Sequence, residues 1–210
     1  MEPKDVESLF TRADGTYAFA RWGRPIAPVV FGVEDTTIST LKGAVEAVVT
    51  LAGHQMDETD PELGANFMVF FLREWQELVE TPNLDRMIPE LEPLVARLEQ
   101  ADANQYRIFR FDPDGGIKAC FVFIRMDEVL SDMPADTLCL GQVVQSILLW
   151  SDEAFLGTSP LALTGSDVAI LKPEIAETIR AAYDPIMPVA ASDPSHALRL
   201  WARLEANRQT

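Results

Sequence analysis

The chain has 210 residues, of which 48% are hydrophobic, enough to bury roughly 70% of its unfolded surface in one large unit or two small ones. Its 33 acidic side chains stand against 17 basic ones, for a formal net charge of −16. That field repels nucleic acid and anionic lipid alike, and no run of about 18 apolar residues is present to cross a membrane, so no nucleic acid and no membrane partner is expected.

The first ten residues carry Glu2, Asp5 and Glu7 where a secretory leader needs a basic start and an apolar stretch, which assigns the chain to the cytoplasm. Cys120 and Cys139 are too few for a disulfide framework; they read as free buried thiols in the cytoplasm, or as one bridge if they are neighbours. A short helix is predicted over 5–12. Pro25 to Val33 reads as a strand bounded by prolines. Asp35, Thr36 and Thr37 offer caps for a helix over 38–52, whose Leu41, Val45, Val48, Val49 and Ala52 share one face and which Gly53 ends.

A polar loop over 54–64 leads to Ala65–Leu72, the most apolar short run in the chain and a buried strand. One or two helical turns follow over 73–80, then a helix over 84–100 that Pro89 and Pro93 must interrupt or open. Strands over 106–111 and 117–125 flank Asp112-Pro113-Asp114-Gly115-Gly116, a turn in which proline fixes one φ and the glycines permit positive φ. The next predicted elements are an apolar helix over 137–150, an irregular stretch over 151–165, a helix over 173–182 opened by Pro173, and a last amphipathic helix after Ser192-Asp193-Pro194. Strands separated by helices, then a hairpin and more helices, predict one α+β domain: a small mixed sheet with helices mainly on one face and a C-terminal helical extension.

Ala65-Asn66 before an apolar strand, the hairpin over 107–125, Cys139-Leu140 opening the central helix, Leu148 and Trp150 at its apolar end, and Leu171-Lys172-Pro173 with Ile179-Arg180 and Tyr183-Asp184-Pro185 together resemble an uncharacterised bacterial family of zincin-like proteins, a domain of unknown function, over about 22–197. The resemblance implies the scaffold of a zinc metallopeptidase, with its central helix beside a mixed sheet. Such a site needs two histidines at i and i+4 with a glutamate beside the first, so that both imidazoles reach one Zn²⁺ and the carboxylate activates its water. The corresponding positions here are Gln142, Val143 and Ser146, which are poor ligands and no base. His54 and His196 are too far apart in sequence to replace the pair. No metal, no cofactor and no catalytic residue is therefore assigned.

Candidate binding residues are Gln142, Gln145 and Ser146, either the lining of a relict cleft or a solvated stripe of a half-buried helix, with His54 from the polar loop. Asp57, Glu58, Asp60 and Glu62 read as a solvated acidic loop without an EF-hand pattern. Asp127 with Glu128 and Asp152 with Glu153 read as helix-start charge, and Cys139 near a helix start is either an activated thiol or a structural one. The leading expectation is a non-catalytic protein that binds an extended peptide or a protein partner. The rivals are a metal-independent hydrolase using Glu58, Asp152 or Glu153, and a structural subunit of a homo-oligomer.

Overall fold

Six apolar residues in a row, Phe67–Leu72, are all buried, as a strand covered on both faces requires. The computed structural model describes residues 1–165 and 168–208. In chain order these form α1 (Pro3–Ser8), β1 (Phe19–Ala20), β2 (Pro28–Phe31), α2 (Asp35–Ala52), β3 (Phe67–Leu72), α3 (Glu77–Glu80), α4 (Leu84–Met87), α5 (Leu91–Gln100), β4 (Gln105–Phe111) and β5 (Ile117–Arg125). There follow α6 (Glu128–Ser131), α7 (Ala135–Val144), β6 (Leu161–Leu163), β7 (Ala169–Leu171), α8 (Pro173–Ala182), β8 (Ala190–Ala191) and α9 (Ser195–Arg208).

The central sheet runs in the order β2-β3-β5-β4, with β2, β3 and β5 parallel and β4 antiparallel at one edge. The fold is thus α+β around a small mixed sheet, ending in a helix. The larger apolar cluster joins one face of the sheet to α2, α7, α8 and α9 through residues such as Val45, Val69, Val122, Val143, Ile179 and Leu200. The second face is covered as well: Leu78, Leu84, Leu91 and Val95 of α3, α4 and α5 pack on Phe70, Phe121 and Phe123.

Several expected boundaries move, each for a local reason. The helix predicted over 84–100 is split, because Pro89 cannot continue it and Glu90 turns left-handed (φ 64) before α5 begins, leaving Pro93 in the new first turn. Glu34, rather than Asp35 or the threonines, is the N-cap of α2, and it caps without a side-chain bond. The first helix lies at Pro3–Ser8, opened by a capping box between Glu2 and Asp5. The central helix stops at Val144 instead of Trp150: the chain turns at Gln145 and Ser146, and Leu148 forms a bridge with Arg21. Gly32 takes φ 83 where a Cβ would lie 2.0 Å from the Phe71 carbonyl oxygen, which no other residue tolerates.

The start of the sheet is tied by polar side chains. Asn66 accepts the Ala27 N–H at Oδ1 (2.8 Å) and donates from Nδ2 to the Pro25 carbonyl (2.8 Å) and to Asp60 (3.0 Å). Asp60 is buried, not a member of a solvated loop. It also accepts the Glu62 and Leu63 N–H groups at 2.8 Å and pairs with Arg24. Arg24 bridges onward to Asp112 in the hairpin turn (2.8 Å) and to Glu62. The last helix docks within the chain, through Arg203 on Asp184 and Arg208 on Glu177.

Candidate functional site

Along β4 the side chains alternate. Tyr106 and Ile108 join the apolar layer of α3–α5, while Gln105, Arg107 and Phe109 face α7. No other strand among the described residues pairs with the outer side of β4. A cavity of about 530 Å³ opens there, lined by Gln105, Tyr106, Arg107 and Phe109 of β4, by Gln145 and Leu149 beyond the end of α7, and by Arg12 and Asp152. Because Tyr106 lines it together with its oppositely directed neighbours, the cavity wraps the strand edge itself.

Gln142 is buried behind this wall. Its Oε1 accepts from Arg107 Nη2 and its Nε2 donates to Gln105 Oε1 at 2.7 Å. The helix amide therefore aims the Arg107 guanidinium. Burial pulls the Arg107 pKa down to about 10, so the group stays protonated at neutral pH. Its neighbour Cys120 is pushed up to about 12 by burial and is neutral. Arg107 makes no ion pair among the described residues, and its Nε is sealed from solvent without a partner.

The expected polar strip is not a solvated stripe. Gln145 lines the cavity, with its Nε2 donating back to the Gly141 carbonyl at 3.2 Å. Ser146 lies beyond the end of α7 and is buried; its hydroxyl donates to the Gln142 carbonyl (2.8 Å) and its own carbonyl accepts Trp22 Nε1–H (2.9 Å). His54 is not brought to the cavity: its Nε2 contacts the Arg24 carbonyl oxygen at 2.8 Å, its ring lies 5.0 Å from that of Tyr183, and burial lowers its pKa. Arg107 was missed in sequence. The signal was a basic residue at the centre of a strand with apolar residues on both sides, followed 35 residues later by a glutamine.

Other candidates resolve into structural roles. Glu58 and Glu153 are exposed and neither lines the cavity, while Asp152 accepts the Ala13 N–H at 3.0 Å. Asp127 caps α6 by accepting the Leu130 N–H at 2.8 Å. Cys139 sits within α7, where burial pushes its thiol up to about 11, so it is no activated nucleophile; both cysteines are free. Among the described residues no three His, Cys, Asp or Glu side chains converge as a metal site needs, and no helix is long and apolar enough to cross a membrane.

Compared with family models, with curated proteins and with solved structures, the chain matches none.

Proposed function

We propose that this chain is a non-catalytic binding protein on a degenerate zincin-like scaffold, and that it takes an extended peptide along β4. The observation that carries this reading is the outer edge of β4, unpaired among the described residues, opening directly into the cavity shared with the end of α7. An edge strand offers main-chain N–H and C=O groups to an added strand, and neighbouring cavities read its side chains. The scaffold assignment rests on the sequence resemblance and on an antiparallel edge strand lying beside α7, which carries Gln142 and Val143 and ends before Ser146.

Charge supports the non-catalytic part of the reading. A guanidinium held against Gln142 opposes a divalent cation at the position where the resemblance would put one, and Gln142 is occupied on both its polar atoms. Two buried thiols suit a reducing compartment, so we place the protein in the cytoplasm. Selection from a random octapeptide library on the purified protein, followed by calorimetry, tests the reading. It expects micromolar binders; a library without any binder tighter than about millimolar contradicts it.

A second reading is a subunit of a homo-oligomer. It is favoured by Phe31, Leu63, Met87 and Phe111, exposed around two adjoining apolar cavities of about 720 and 390 Å³ on the α4 side of the sheet. Light scattering over a concentration series decides it: a monomer throughout removes this reading.

A further inference from the structure

A protonated guanidinium taken out of water is costly unless a negative charge meets it. Among the described residues Arg107 has no such partner. Its Nη2 is satisfied by a neutral amide, its Nε by nothing, and its surroundings on the sheet are the neutral Cys120 thiol and apolar side chains. The residue is only half-buried overall, and it lines the cavity at the edge of β4.

The cavity itself has the opposite sign to the protein. Arg12 and Arg107 both line it, neither in an ion pair among the described residues, against a single lining carboxylate, Asp152, which already accepts from the Ala13 N–H and the Ser151 hydroxyl. On a chain of net charge −16, two cations to one carboxylate in one concave place give a local positive excess that favours an anion. A guanidinium offers N–H groups that match a carboxylate, and Gln142, itself fixed by Gln105, holds it in orientation. The flanking walls, Phe109, Trp150 and Phe155, are apolar.

We propose that the β4 cleft is specific for a peptide carrying a carboxylate next to an apolar residue, with Arg107 receiving the carboxylate and Arg12 supporting it. This rests on the reading of β4 as a peptide edge and adds the chemical class of what binds there. The carboxylate belongs either to the chain terminus or to an Asp or Glu side chain, and the two sources differ in a direct experiment.

Random octapeptide pools are compared for capture by the full chain: one with a free C-terminus, one amidated, one amidated but containing glutamate, one in which that glutamate is glutamine, and one phosphorylated. Capture of a carboxylate-bearing pool should exceed that of its neutral counterpart roughly tenfold, the worth of one charge-assisted hydrogen-bonded pair. The pool that shows the preference identifies the source. Arg107→Met should abolish the preference, and Arg107→Lys should restore only part of it because a point charge replaces the fork. Arg107→Met removes a buried charge but leaves the buried Gln142 Oε1 without its donor, so its melting temperature is read beside its capture; Arg12→Gln provides an exposed variant if Arg107→Met does not fold. Equal capture of charged and neutral pools overturns carboxylate specificity while leaving β4 as a peptide edge. Stronger capture of the phosphorylated pool also overturns it, and capture of no pool removes the peptide edge as well.

Discussion

The Tyr17 hydroxyl lies 2.7 Å from His196 Nδ1, joining the N-terminal segment to the last helix across 179 positions of sequence. Phe19 packs on the same imidazole at 4.2 Å, and among the described residues the buried His196 Nε2 has no partner. A neutral imidazole has one N–H and one acceptor, and this site satisfies one nitrogen only, so the charged form, with two N–H groups to satisfy, is disfavoured.

Burial lowers the His196 pKa from 6.5 to about 4. Above pH 6.5 both folded and unfolded states are neutral and the site contributes its full stability. Between about 6.5 and 4 the unfolded chain takes up the proton first, and stability falls by up to about 3 kcal/mol; below 4 this group changes nothing further. Denaturant titrations from pH 7 to 4.5 should show the loss, and His196→Leu should make it shallower, the remainder belonging to His54, whose pKa burial also lowers. An identical slope in both proteins contradicts the assignment. Asp60 does not interfere: burial alone would raise its pKa, but the Leu63 and Glu62 N–H groups, Asn66 and Arg24 bring it below 3.8, outside that window.

Asn66 links β2, β3 and the 54–64 loop with three bonds from one amide. Asn66→Ala should cost about 2–4 kcal/mol, because it strands the buried Ala27 N–H and removes a donor from the Asp60 carboxylate. The melting temperature reads the loss directly; a change within about 0.5 kcal/mol of zero would mean the sheet edge is held otherwise.

Cys120 and Cys139 are both fully buried, with pKa values raised to about 12 and 11. Neither should react with an aromatic disulfide reagent at pH 8 in the native state, and both should react on unfolding. One thiol titrating rapidly in the native protein would contradict this placement.

Much of the architecture was legible in sequence where a local device sets it. Pro173 and the Tyr183-Asp184-Pro185 exit delimit α8, and the Asp112–Gly116 turn delimits β4 and β5. The run from 137 to 150 was not legible beyond its start. Ile147 and Leu148 are buried whichever backbone they adopt, so apolar periodicity carries no information about where the helix ends. The two-residue strands β1 and β8 and the β6–β7 pair depend on partners distant in sequence or too short to show a pattern. The site was half legible: the amide at position 142 was marked by polarity on an apolar helix, but its partner Arg107 became visible only when β4 was placed at the sheet edge facing α7.

Amide hydrogen exchange of β4 with and without a selected peptide tests the peptide-edge reading most directly. Outward-facing N–H groups between Gln105 and Phe111 should exchange freely alone and become at least tenfold slower at saturating peptide, as a new ladder forms. Protection confined to the apolar cavities near Met68 and Met87, with β4 unchanged, would contradict it.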